Sequence, residues 1–325
     1  MGSGKRSLIF GIAGQDGSYL LEHLRSLGHE VFGVVRRNSV VENQQSRIDQ
    51  ISDMNNIYGD VTDLTSIIRA FENAKPDYVF NLAAQSHVRI SFDVPNYTIE
   101  TNGVGVLNIL EVIKNYFPET KFYQASSSEM FGNSIDEDLA QRETTPMLPV
   151  SPYGCAKLYG YHITKTYRNS YNLFACNGIL FNHESERRGS NFVTNKIAKN
   201  AVEIFLGRKK YLELGNLDAK RDWGHSKDYV RAMVKILNHN VADDFVISTG
   251  KTRSVRDFCK VAFSYLDLDY KDYVKVNPKF FRPQELHELR GDCTKAKTIL
   301  GWTPKISFEE MVQEMVENWK NLLSK

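Results

Sequence analysis

The stretch that most limits what this chain can become lies near its start. An apolar run, "SLIF" (7–10), leads into "GIAGQDGSYL" (11–20), where Gly11, Gly14 and Gly17 stand three apart before a segment of helical character. Glycines between a strand and a helix suit a phosphate cradle. Gly11 permits the tight turn, Gly14 lets the backbone approach a diphosphate, and Gly17 lets the helix pack close. The helix N-terminus then offers free N–H groups to the anion. The spacing is G-x-x-G-x-x-G rather than G-x-G-x-x-G, so a plain tight turn is the competing reading.

Strand-like and helix-like segments go on alternating. Strands are expected at 7–12, 30–35, 56–61, 77–83, 121–127 and 173–181. Helices are expected at 17–28, 64–73, 98–116 (one long helix) and 153–171. Apolar strands separated by helices of this length require right-handed crossovers and a parallel sheet covered on both faces. Beyond residue 182 the pattern loosens, with helices expected near 191–206, 226–239, 254–266 and 307–323. The expected architecture is α/β: a Rossmann-type doubly wound parallel sheet with a smaller mixed α/β substrate-binding lobe. The large domain takes residues 1–182 plus part of about 225–249, and the discontinuous lobe takes the rest of 183–325.

The 325 residues carry a formal net charge of +2, which gives no global pull toward nucleic acid or a membrane surface. No apolar run reaches the roughly 18 residues of a membrane span, and no signal peptide is read. Cys155, Cys176, Cys259 and Cys293 form no C-x-x-C pair and are expected to be reduced thiols of a cytoplasmic protein. Neither His183-Glu184 nor His287-Glu288 extends to H-E-x-x-H, so no metal is expected.

The chemistry concentrates at strand ends. Where an NAD site places an acidic residue, "VVRRNS" puts Arg36 and Arg37. An arginine pair suits a 2′-phosphate and argues for NADP; a solvated pair or an oligomer contact is the alternative. Asp60, after the third strand, is placed to accept from an adenine amine. "NLAAQS" (81–86) ends the fourth strand in small residues that let a cofactor lie close. Tyr153 and Lys157 form Y-x-x-x-K, which shares one helix face. An ammonium beside a phenol lowers its pKa and favours phenolate, which takes a hydroxyl proton as hydride leaves the same carbon. Ser127 can hydrogen-bond a substrate oxygen. Glu129 is a carboxylate that a simple alcohol dehydrogenase does not need, but that removal of a carbon-bound proton does. A helix-capping Ser and a surface Glu remain the alternative for that pair.

On these motifs, together with "NGILFNHESERRG", "NFVTNKI", "GNLDAKRDWGHSKDYV" and "RPQELHELRGD", the chain resembles the extended short-chain dehydrogenases/reductases. Within them it resembles the GDP-mannose 4,6-dehydratase family, over about residues 7–320. The resemblance implies bound NADP held by Gly11, Gly14, Gln15, Asp16, Gly17, Arg36, Arg37, Asp60, Val61, Leu82, Ala83, Ala84, Ser86, Tyr97, Lys157, His183 and Arg188. It implies catalysis by Tyr153, Lys157, Ser127 and Glu129, and a GDP-sugar bound by Ser86, Ser128, Asn182, Lys196, Arg221, Arg282 and Glu285. In that family hydride leaves sugar carbon 4, Glu129 takes the carbon 5 proton, water departs from carbon 6, and the hydride returns there. A homodimer or homotetramer is also implied, with residues 36–48 meeting a neighbour's cofactor site in the tetramer.

Three positions depart from the family pattern. The triplet Ser127-Ser128-Glu129 usually begins with Thr, Glu186 stands where Pro is usual, and Cys155 where a small apolar residue is usual. None of these fixes the sugar. A GDP-manno-heptose dehydratase, or a reductase of the 4-keto sugar, stays open, with His87, Val88 and Arg89 expected near the deciding pocket. A non-catalytic nucleotide sensor is the alternative from another class.

Overall fold

The computed structural model of the chain describes residues 4–36, 55–281, 286 and 288–324. Its centre is a seven-stranded, wholly parallel sheet. The strands are β1 (Arg6–Phe10), β2 (Glu30–Val35), β3 (Asn55–Tyr58), β4 (Tyr78–Asn81), β5 (Lys121–Ser127), β6 (Ala175–Leu180) and β10 (Asp244–Ile247), in the order β10-β6-β5-β4-β1-β2-β3. Alternate side chains feed two cores. Ile9, Phe80 and Tyr123 face the helices Gln15–Ser26 and Ser226–Asn238, while Leu8, Phe10, Val79 and Phe122 face Leu64–Ala74 and Gly105–Tyr116. This period-2 split is why the strands read as continuous apolar runs.

Strand order reverses between β1 and β4, which leaves a crevice at their carboxyl ends. The loop after β1 closes on it tightly. Gly11 takes φ +83°, and a Cβ there would stand 2.8 Å from the Ala83 backbone nitrogen. A Cβ on Gly17 would stand 2.4 Å from the Gly11 carbonyl oxygen. Backbone on backbone leaves nothing to give way, so both positions demand glycine.

A second lobe follows β6. Around β9 (Lys220–His225) pair β7 (Asn182–Glu184), β11 (Thr252–Ser254) and β13 (Glu288–Leu289), and β8 (Leu212–Leu214) pairs β12 (Val274–Val276). Helices Val193–Phe205, Val255–Ser264 and Phe308–Leu323 enclose a separate core built on Ile197, Phe258 and Met315. The helix Ser226–Asn238 and β10 lie between these segments in sequence, yet return to the large sheet.

Two differences from the sequence expectation matter. The helix from about 98 starts earlier, on Pro95, and is not uniform: a π-turn at Glu100–Val104 separates Pro95–Ile99 from Gly105–Tyr116. The wide turn aims buried Asn102 at the loop after β4, where its amide donates to Gln85 O (2.9 Å) and accepts from Gln85 N (2.8 Å). The first helix begins at Gln15, two residues before the expected start, with Gly14 as its N-cap.

Asp244 fastens the sheet edge. Its carboxylate takes both Arg168 guanidinium nitrogens at 2.8 Å and the Asn177 side-chain amide at 2.9 Å, joining β10, β6 and the helix Pro152–Tyr171. Asp244→Ala removes the partner of a partly buried guanidinium that keeps its bond to the Ala175 carbonyl, and is expected to cost about 2–3 kcal/mol, below the full cost of breaking a buried pair, read as a lower midpoint in urea unfolding.

Candidate active site

The carboxyl ends of the central strands open beneath the small lobe into a cleft of about 530 Å³. Lining it are Asp16, Leu82, Ala84, Ser86, Ser127, Ser128, Glu129, Tyr153, Lys157, Asn182, His183, Arg188, Lys196 and Arg221. His87, Val88 and Arg89 line it too. Gly11, Gly14, Gln15 and Gly17 form the turn and helix start beside it, and Ala83 presses its backbone on Gly11. Arg36 follows β2 and bonds the Tyr97 hydroxyl. One Asp60 oxygen accepts from both the backbone and the hydroxyl of Thr62 (2.9 Å each), and Val61 is buried. Arg37, Arg282 and Glu285 lie outside the described residues.

A phosphate cradle fits this geometry. The helix Gln15–Ser26 has glycine as its N-cap and no side-chain cap on its first-turn N–H groups, which leaves a helix dipole facing the cleft. Behind it lies a polar knot. His183 has Nε2 2.7 Å from Asp16 Oδ2 and Nδ1 2.7 Å from the Phe181 carbonyl. Neither acceptor can donate, so the ring carries both protons and is an imidazolium. Burial opposes both charges of this pair. The mutual attraction outweighs it, holding Asp16 below and His183 above their ordinary values. Ser226 donates to Asp16 at 3.0 Å, and Gln15 bridges the His183 carbonyl (3.1 Å) and the Ser185 hydroxyl (2.9 Å).

Tyr153 and Lys157 sit on the helix Pro152–Tyr171, started by Pro152 and capped by Ser151, whose hydroxyl accepts from Gly154 N at 3.0 Å. The Tyr153 amide donates to Ser91 Oγ at 3.1 Å. Lys157 Nζ donates to the Ala125 carbonyl at 2.8 Å and stands 5.8 Å from the Tyr153 ring centre. Here the expectation of a lowered phenol pKa needs correction. Burial dominates and pushes Tyr153 up to about 12, against the Ser127 hydrogen bond and Arg188; burial also pushes Lys157 down to about 8. The resting form is the phenol, and phenolate requires further positive charge in the cleft. Ser127 ends β5, and its hydroxyl accepts from Glu129 N at 3.2 Å, starting the short turn that carries Glu129. Glu129 is buried, and its charge reaches Tyr153.

On the lobe side, Lys196 Nζ donates to the Glu213 carbonyl at 2.8 Å and lies 4.2 Å above the Phe280 ring. Buried Arg221 donates to the Leu286 carbonyl at 3.0 Å, and Arg188 pairs with Glu184 at 3.0 Å. Glu186, the departure from the family pattern, accepts from the Tyr19 hydroxyl at 2.6 Å. It also lies near His225 and Glu314 in a grouping with the spacing of metal ligands. His225 Nδ1 accepts from Lys227 N at 3.0 Å, so Nε2 holds the proton it directs to Glu314, 2.6 Å away. A metal ion there would have to displace that proton. Sequence reasoning missed Ser91, Gln85, Asn102, Phe192 and Ser226. Each has at least one partner distant in sequence, and no local pattern marks it.

The His183 pair makes stability pH-dependent in a defined direction. The His183 contribution is complete below its unfolded value near 6.5 and is lost as pH rises through its higher folded value. That of Asp16 is complete above about 4 and is lost on acidification through its lower folded value. Urea unfolding of wild type and His183→Gln at pH 6 to 9 is therefore expected to show their stability gap narrowing as pH rises.

Known proteins place this geometry. Residues 8–315 match the GDP-mannose 4,6 dehydratase family. The human GDP-mannose 4,6 dehydratase is 47% identical, with 95% of this chain and 90% of that protein covered. The Yersinia enterocolitica GDP-mannose 4,6-dehydratase is 44% identical, with 96% and 93% covered. Among solved structures, the Thermus thermophilus UDP-glucose 4-epimerase complex with NAD superposes with a TM-score of 0.85 at 23% identity, covering 97% of this chain and 99% of that one. The Pseudomonas aeruginosa RMD complex with NADPH gives 0.83 at 21% identity, covering 98% and 100%. By its family match and its full-length relatives, the chain belongs to the GDP-mannose 4,6-dehydratase family.

Proposed function

We propose that this protein converts GDP-D-mannose to GDP-4-keto-6-deoxy-D-mannose as an NADP-dependent hydro-lyase. The observation that carries the reading is the meeting of Tyr153, Lys157, Ser127 and the extra buried carboxylate Glu129 at one cleft floor. When bound, the nicotinamide accepts a hydride from the sugar and gives it back, and its oxidised ring supplies the positive charge that Tyr153 lacks. Tyr153 takes the proton of the carbon 4 hydroxyl, Ser127 holds that oxygen, and Lys157 fixes the cofactor side. The carbonyl formed acidifies carbon 5, whose proton Glu129 removes. Glu129, with Ser128, delivers a proton to the departing carbon 6 hydroxyl, and the proton that Tyr153 took is passed on to carbon 5 as the hydride returns to carbon 6, so every acid-base group ends as it began.

The remaining assignments belong to the same reading. The Gly-rich turn holds the diphosphate of the dinucleotide, and Arg36, ahead of Arg37, favours a 2′-phosphate and hence NADP. Asp16, His183 and Arg188 support that cofactor. Asn182, Lys196, Arg221, Arg282 and Glu285 bind GDP, and the lobe from 183 onward is the nucleotide-sugar domain. The family resemblance implies a homodimer or homotetramer, and apolar side chains exposed on adjoining helices, among them Ile99, Val104 and Tyr159, support that reading. All four cysteines are free, and no described helix is long and apolar enough to cross a membrane; we place the enzyme in the cytoplasm.

GDP-mannose deuterated at carbon 4 and incubated without added cofactor is expected to give product labelled at carbon 6. Tyr153→Phe is expected to slow turnover by about 10²–10⁴-fold. Product formed with no label at carbon 6, seen by mass spectrometry, would refute internal hydride return.

A further inference from the structure

We propose that Phe192, braced by His87 and Arg188, is the specificity-determining wall of the sugar pocket and excludes a sugar with a longer carbon 6 arm. The inference rests on the GDP-sugar reading above and adds what that reading leaves open, hexose against heptose.

Arg188 and Phe192, four residues apart, meet the distant His87 at this wall, and all three line the cleft. Phe192 is the N-cap residue of the helix Val193–Phe205, in extended conformation, and its amide donates to the Gly189 carbonyl at 3.1 Å. Its ring lies 3.6 Å from the Arg188 guanidinium carbon and 5.5 Å, centre to centre, from the His87 imidazole. Arg188 is itself tied to the buried carboxylate of Glu184. The ring is therefore held by a cation on the lobe and an aromatic group on the large domain.

His87 cannot retreat. Its amide donates to the Gln85 side chain at 2.6 Å, and the Gln85 amide donates back to the His87 carbonyl and to Thr98 Oγ1, both at 3.2 Å. The Gln85 backbone is clamped in turn by Asn102 from the π-turn. His87 also caps the short helix Val88–Ser91, where Ser91 accepts from the Tyr153 amide. The wall and the proton-accepting tyrosine are thus parts of one hydrogen-bonded frame. A heptose adds a hydroxymethylene to the arm at carbon 6. A wall so braced cannot yield to it, whereas a flexible one could.

The test compares wild type, Phe192→Ala and Phe192→Leu with GDP-mannose and GDP-manno-heptose, measuring both kcat/KM and calorimetric Kd. The heptose-to-mannose ratio is expected to rise by about tenfold or more in the alanine variant, the usual worth of one methylene's discrimination. In the leucine variant, which keeps most of the bulk, it is expected to stay within about threefold of wild type. A ratio unchanged by Phe192→Ala, in turnover and in affinity, overturns the inference. Wild type that turns over neither sugar overturns the functional reading instead, and the affinity ratio then decides on the wall alone: a tenfold rise upholds it and no change rejects it.

Discussion

The contact on which the rest of the site depends is the ion pair between Asp16 and His183. Asp16 belongs to the first turn of the first helix, and His183 to the strand that leaves the large sheet for the small lobe. One hydrogen-bonded pair therefore fixes the phosphate-facing helix start against the crossing into the second lobe. Ser226, at the point where the chain re-enters the large domain, donates to the same carboxylate. The ring must hold two protons to serve both acceptors, so the lobes are joined by a charge and its counter-charge. Both groups are partly buried at the cleft, so losing either would leave the other less well compensated.

A second frame, of neutral groups, runs along the opposite side of the cleft. The π-turn turns Asn102 toward Gln85, Gln85 holds His87, and the helix that His87 caps supplies Ser91 to the amide of Tyr153. Distortion of a regular helix is offset by satisfying buried backbone groups in the loop after β4. The result is a cleft tyrosine, Tyr153, whose main chain is fixed from two elements, one of them part of the cleft lining.

Burial governs how the titratable groups of the cleft stand. It raises Tyr153 to about 12 and lowers Lys157 to about 8, so the phenol is held neutral while the ammonium still keeps its proton at neutral pH. A positive charge brought into such a cleft would favour ionisation of the phenol.

The sequence by itself determined the parallel sheet, most of the helices and many of the residues that meet in the cleft. Strand runs buried on both faces, the Gly-rich turn after β1 and the Y-x-x-x-K helix are local patterns whose physics is read within a dozen residues. The β9 strand "KRDWGH" escaped such reading, because buried Arg221, Asp222 and His225 each take a partner far along the chain. The same holds for Asn102 inside what otherwise reads as an unbroken helix, and for Phe192, whose neighbours Arg188 and His87 come from two lobes. Tertiary structure alone decided the protonation of His183 and the raised pKa of Tyr153. Both depend on burial and on charges brought close in space, quantities that neither composition nor spacing encodes.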